Sequence, residues 1–186
     1  MCLSLVGSEM CIRDSSNGGN SGSRFLKNAI GGCISAMKAS TLIFAPFENS
    51  YERLTPKAHA PTGISWAYEN RTAAIRIPMG SPSSKRIEHR VAGGDANPYL
   101  LFTAILGAAL KGIEAQMDAP KPIQGDAYSL NLPQLAKNWI TAIELFENDD
   151  PNTNLGYLIN WGEKNNLNYS DVYLGYEVSI YIPRIA

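Results

Sequence analysis

The sequence predicts an α+β domain, because segments of helical period flank one stretch that alternates as strands do, and because the chain carries enough apolar material to give both a common core. Of its 186 residues, 45% are hydrophobic and 18% are charged, which suits one globular domain and excludes a disordered chain. Lys plus Arg number 16 against 17 Asp plus Glu, a net charge of −1, so no overall field draws the chain to phosphate backbones or anionic lipid. Neither nucleic acid nor a membrane is expected as a partner. The longest mostly apolar run, Leu100 to Leu110, falls short of the roughly 20 residues that cross a bilayer.

The elements follow in chain order. Met1 to Ser15 has no basic start, and its apolar stretch Leu3 to Val6 is too short for a signal peptide. It resembles the translation of a sequencing or cloning adapter, so residues 1–15 are set aside from the fold, and Cys2 and Cys11 with them. Three cysteines without metal-ligand spacing fit a reducing, cytoplasmic compartment. Residues 16–24, rich in glycine and serine, read as a flexible lead. Behind the capping residue Ser23, Phe25, Leu26, Ala29, Ile30, Cys33, Ile34 and Met37 recur at helical spacing, predicting a helix to about residue 43.

From Trp66 to Val91 β-branched residues alternate with polar ones around the turn material Pro78-Met-Gly-Ser-Pro, predicting two strands joined by a loop. Asn97 caps and Pro98 opens a second helix, Tyr99 to Met117, apolar nearly all round and ended by Asp118-Ala-Pro-Lys-Pro. Pro133 opens a third, with Leu135, Trp139, Ile143 and Phe146 on one stripe as far as the Asn148-Asp-Asp-Pro turn. Asp171 to Ile182 shows both strand-like alternation and a helix cap at Ser170, and is assigned to helix.

Chemistry concentrates between the helices. In Lys85-Arg-Ile-Glu-His-Arg a period of two places Arg86, Glu88 and Arg90 on one face and Ile87 and Val91 on the other. Such a face is either a solvated exterior with cross-strand salt bridges or a place where guanidinium forks meet carboxylate or phosphate oxygens. In the second case Glu88 is suited to a hard cation such as Mg²⁺. The face leads directly into Gly93-Gly-Asp-Ala-Asn-Pro and a buried helix, and the preceding strand adds Arg71 and Arg76. Position therefore favours the anion site. His89, on the opposite strand face from Glu88, reads as structural.

Asn49-Ser-Tyr-Glu-Arg-Leu, Ala60-Pro-Thr, Trp66, Asn70-Arg-Thr-Ala-Ala-Ile-Arg-Ile-Pro, Arg86-Ile-Glu-His-Arg and Asp95-Ala-Asn-Pro-Tyr-Leu resemble, in order and spacing, the C-terminal catalytic blocks of the glutamine synthetase superfamily. The wording from Glu88 to Pro98 is closer to its γ-glutamylpolyamine and γ-glutamylputrescine synthetases. The resemblance is specific over about residues 25 to 115, weaker to about 147 and poor in the final 35 residues, where the tail is either divergent or frame-shifted. It implies that residues 25–186 are part of a catalytic domain in which antiparallel strands of an open barrel are flanked by helices. By the same resemblance Arg53 and Arg90 hold the glutamate carboxylate, Arg71 stabilises the transferring phosphoryl group, Arg76 and Arg86 contact ATP phosphates, and Glu88 ligates Mg²⁺ or Mn²⁺. The implied reaction forms γ-glutamyl phosphate and passes the glutamyl group to an amine, within a homo-oligomeric ring when the protein is full length.

Two departures from the family carry information. Where ammonia-using members hold a glutamate, this chain has His59; an imidazole accepts a proton near neutrality without attracting ammonium as a carboxylate does, which points to a primary amine. The bland alternative is a loop histidine with no role. The family's other metal ligands and its N-terminal domain have no counterpart before Phe25, so this chain alone is expected to be inactive. An ammonia-using glutamine synthetase and a non-catalytic homologue are the competing readings; retention of Arg53, Arg71, Arg76, Arg86, Arg90 and Glu88 weighs against the second.

Overall fold

The computed structural model describes residues 3–6, 9–13, 22–56, 58, 60–81 and 85–149. Strands β1 (Leu3–Val6) and β2 (Glu9–Arg13), helix α1 (Arg24–Ala36), the short helix α2 (Thr41–Phe44), strands β3 (Trp66–Tyr68), β4 (Ile75–Ile77) and β5 (Arg86–His89), and helices α3 (Pro98–Glu114) and α4 (Trp139–Glu147) follow in order. The helix expected at 171–182 lies outside the described residues.

The strands form one sheet in the order β1-β2-β5-β4-β3. Pairing is antiparallel for β1–β2, β2–β5 and β4–β5, and parallel for β3–β4. Residues 3–6 and 9–13, set aside in the sequence reading, thus form one edge of the sheet. The stretch expected to hold two strands holds three, because the Glu69–Ala74 turn divides it. Ile75, Ile77 and Ile87 are fully buried on the sheet, each contributing roughly 1.5–3 kcal/mol by apolar burial.

Helix α1 starts where its cap demanded, with Ser23 Oγ accepting from the Leu26 N–H at 3.0 Å. It ends earlier than periodicity suggested. A turn over residues 37–40 separates α1 from α2, and across it the Thr41 hydroxyl donates to the carbonyls of Lys38 (2.8 Å) and Met37 (3.2 Å), a local bond that competes with helical backbone pairing. Helix α3 has its expected cap, Asn97 Oδ1 accepting from the N–H groups of Tyr99 and Leu100. Helix α4 begins at Trp139 rather than at Pro133. The residues before it pair with an upstream segment, Ile64 N–H donating to Pro133 O at 2.7 Å and Leu135 N–H to Thr62 O at 3.0 Å, and Asn138 then caps by accepting from Thr141 N–H at 2.8 Å.

Helices α1 and α3 pack directly on each other and α1 also touches β5, so one core of Leu26, Ile30, Cys33, Met37, Leu101 and Ile105 backs the sheet. Burial raises the Cys33 thiol to about 12 and leaves it a small apolar side chain in that core. The 119–130 segment crosses over the end of β3: Ile123 N–H donates to Trp66 O at 3.0 Å and Trp66 Nε1–H to Pro120 O at 2.6 Å. This crossing places the loop before β4 beneath a second stretch of chain.

Candidate active site

Cross-strand register sets Arg76 of β4 directly opposite Glu88 of β5. Arg76 Nη1 donates to Glu88 Oε2 at 3.0 Å and Arg86 Nη2 to Glu88 Oε1 at 2.8 Å. Arg86 and Glu88 therefore meet on one face as a period of two predicts, but Glu88 is only 3% exposed, which is not the position of a solvated exterior. A buried carboxylate is tolerated here because both oxygens receive a guanidinium.

Arg76 is also held from its other side. Its Nη2 lies 3.1 Å from Glu69 Oε2, and Glu69 additionally accepts the Met79 N–H. Burial alone would lower the Arg76 pKa, but the Glu69 hydrogen bond and the charges of Glu88 and Glu69 outweigh it and hold the guanidinium above its ordinary value. Glu69 itself sits below the usual carboxylate range, first through the Met79 N–H and then, against its burial, through Arg76. Its backbone takes φ +48°, a left-handed conformation that costs a non-glycine residue about 1 kcal/mol. Such strain persists where the surroundings over-determine it, and here the carboxylate is fixed at both oxygens.

Arg53 follows the 3₁₀ turn Glu48–Glu52 and donates through Nη2 to Val91 O at 2.7 Å. Burial lowers its pKa while Asp95 opposes the shift. Asp95 in turn accepts from the Ser50 hydroxyl. Gly93 leaves room for this group: a Cβ there would fall 2.2 Å from Asp95 Oδ1 and 3.1 Å from Arg53 Nη2. Arg90 donates to Ala73 O at 3.4 Å. Of the two arginines assigned to one carboxylate, Arg53 is thus tethered to the strand that leaves β5 and Arg90 to the loop before β4.

Arg71 and Arg76 open on one pocket of about 680 Å³, walled on one side by Tyr68–Thr72 and on the other by Ile123–Asp126. Arg71 is exposed, and its guanidinium makes no hydrogen bond to another described residue. The Arg76 Nε is buried and has no partner among the described residues. The exposed Arg71 guanidinium is a donor whose chemistry a phosphate group fits, whereas the buried Arg76 Nε is closed to solvent. For a metal the fit is incomplete: among the described residues no group of three His, Cys, Asp or Glu side chains could hold an ion, so Glu88 offers one ligand only.

His59 lies outside the described residues. His89 is core, 2% exposed and tilted against Phe44 at 4.8 Å; burial lowers it to about 3, which removes it from proton transfer near neutrality. Among the described residues no helix is long and apolar enough to cross a membrane. Sequence reasoning gave no role to Asp95, Asn70 and Thr72 within the family wording, and missed Glu69 and the whole 123–127 wall. Glu69-Asn-Arg-Thr and Gln124-Gly-Asp have turn composition, yet nothing in composition says that two turns 55 residues apart meet.

Comparison with known proteins places this geometry. The family model for the catalytic domain of glutamine synthetase matches residues 1–159. A γ-glutamylethanolamide synthetase of Streptomyces coelicolor is 37% identical over 123 residues, 66% of this chain and 26% of that protein. A γ-glutamylputrescine synthetase of Escherichia coli is 38% identical over 135 residues, 72% of this chain and 29% of that protein. A glutamine synthetase of Aquifex aeolicus is 43% identical over 129 residues, covering 65% and 28%. The solved structure of GmaS without ligand superposes with a TM-score of 0.69 at 29% identity, covering 85% of this chain and 41% of that one. The match to the synthetases of S. coelicolor and E. coli therefore spans less than a third of their length.

Proposed function

The chain belongs to the glutamine synthetase catalytic-domain family, and from that premise we propose that it supplies the arginine-rich half of the active site of an ATP-dependent glutamate–amine ligase. One observation carries the reading. Arg71 and Arg76 open on a single pocket, so two cations face a space sized for a small anionic group, and Arg90 is tethered to Ala73, next to the pocket-lining Thr72.

In this reading Arg53 and Arg90 orient the glutamate carboxylate by forked hydrogen bonds. Arg76 and Arg86 contact the nucleotide phosphates, which requires them to share or leave Glu88. Arg71 faces the transferring phosphoryl group, where negative charge accumulates and a preorganised cation lowers the barrier. ATP supplies the phosphoryl group when bound, and Glu88 would be one ligand of a Mg²⁺ or Mn²⁺ ion, which would supply charge neutralisation there. A γ-carboxylate oxygen of glutamate forms a bond to the terminal phosphorus as ADP leaves; the amine nitrogen then bonds to the γ-carbonyl carbon as inorganic phosphate leaves and the nitrogen gives up a proton. His59 is assigned to accept that proton.

An amine is favoured over ammonia by His59 and by the two γ-glutamyl-amine synthetases among the relatives. Glutamine synthetase itself is the second reading, and the A. aeolicus relative supports it. The test is glutamate-dependent phosphate release from ATP by the full-length enzyme carrying this sequence, with ammonium compared against mono-, di- and polyamines. Selective stimulation by an amine is expected, and Arg71→Ala is expected to lower the rate about 100-fold or more, the usual cost of one preorganised charge-stabilising group. Stimulation by ammonium alone would make it a glutamine synthetase, and none at all would favour a non-catalytic homologue.

A further inference from the structure

Arg71, the cation assigned to the phosphoryl group, has no side-chain hydrogen bond to another described residue, so its position depends on its backbone. That backbone is held by a closed set of hydrogen bonds. Asn70 Nδ2 donates to Gly125 O at 2.7 Å. Asn70 Oδ1 accepts from the Thr72 N–H at 2.9 Å and from the Thr72 hydroxyl at 2.7 Å. The Thr72 Oγ1 accepts in turn from the Ala127 N–H at 2.9 Å. Donor chemistry permits one arrangement only: a backbone N–H cannot accept and a carbonyl cannot donate, so the orientation of the Asn70 amide and the direction of the Thr72 hydroxyl are both fixed. The residues flanking Arg71 thus grip the residues flanking Asp126, and Gly125 makes the bend with φ +79°, a conformation glycine takes without penalty.

We propose that Asn70 and Thr72 are positioning residues, which clamp the Arg71 loop to the 123–127 segment and so aim the Arg71 guanidinium into the pocket. The proposal rests on the role given to Arg71 above. Successive donors and acceptors in such a chain reinforce one another, and the clamp fixes the Arg71 turn itself, beyond the Trp66 bonds that dock the 119–130 segment on β3. Loss of one member loosens the loop by a fraction of an ångström to an ångström, a displacement that lowers turnover by about 10-fold to 100-fold without removing a substrate contact.

The experiment uses Thr72→Val, which keeps shape but removes the hydroxyl, beside Thr72→Ser, which keeps it, both in the full-length enzyme. The valine variant is expected to lower kcat by about 10-fold or more with KM for glutamate and ATP within about threefold, and serine is expected to restore kcat to within about threefold. Unchanged kcat in the valine variant, or equal loss in both, overturns the proposal. Amide hydrogen exchange separates this from failure of the ligase reading: at Thr72 and Ala127 exchange should quicken about 10-fold or more in the valine variant and recover with serine. Should the wild type release no phosphate, the ligase reading falls while the exchange measurement still decides the clamp, and unaltered exchange overturns it.

Discussion

Gly32→Ala is expected to destabilise the chain by about 3 kcal/mol or more, although alanine is the better helix former by about 1 kcal/mol. The reason is the crossing of α1 and α3. A Cβ on Gly32 would lie 2.0 Å from Ala108 O and 2.8 Å from both the N and Cα of Gly112; one on Gly112 would lie 2.2 Å from Asn28 O. All of these neighbours are backbone, so no side chain can rotate away and the two helices must separate. Separation loosens Cys33 and Ile105, which touch across the same crossing, and with them the core that backs β5. Against the 5–15 kcal/mol typical of a whole domain, that is a large share. Gly94→Ala, whose Cβ meets nothing within 4 Å, serves as the control and should change stability by no more than about 0.5 kcal/mol. Urea denaturation of both variants checks the pair; equal midpoints would show that the helices do not approach this closely.

Glu88→Gln is expected to cost roughly 2–3 kcal/mol of stability, somewhat below the usual cost of unpairing a buried ion because Arg86 is partly solvated. The carboxylate presents an acceptor to Arg76 on one oxygen and to Arg86 on the other. An amide keeps one acceptor and turns its NH₂ toward the second guanidinium, setting donor against donor in a place that is 3% exposed. The same change removes the one carboxylate that the reading assigns to a cation, so glutamate-dependent ATP turnover should fall with it. Arg86→Gln, by contrast, leaves Glu88 paired with Arg76 and removes a side chain that is 38% exposed, for which about 0–1 kcal/mol is expected. Thermal or urea unfolding of the two variants reads this asymmetry. A Glu88→Gln chain as stable as the wild type would mean that Glu88 is not the buried centre of the cluster.

What the sequence revealed was what local rules govern. Ser23 and Asn97 cap helices because a side-chain oxygen reaches an N–H only two or three residues away, and Arg86, Glu88 and Ile87 divide between faces because a strand alternates whatever surrounds it. Local rules failed where distant chain intervened. Pro133 has every mark of a helix start, yet Thr62 and Ile64 claim its neighbourhood as an extended pair. The site divides in the same way. Its arginines and Glu88 stand in recognisable wording, whereas Glu69 gripping Arg76, Ser50 gripping Asp95 and the 123–127 segment closing on Asn70 and Thr72 depend on which loops meet in space.

The central claim is that these arginines serve phosphoryl transfer to the γ-carboxylate of glutamate. Its most direct test supplies the full-length enzyme with ATP, an amine and glutamate carrying heavy oxygen in that carboxylate, and follows the label. The account predicts one heavy oxygen in the inorganic phosphate released, because the oxygen that attacks phosphorus departs with it, and predicts that Arg71→Ala slows release and transfer together by about 100-fold or more. Phosphate released at the wild-type rate without heavy oxygen would contradict it, since the phosphoryl group would then have passed to water and not to glutamate.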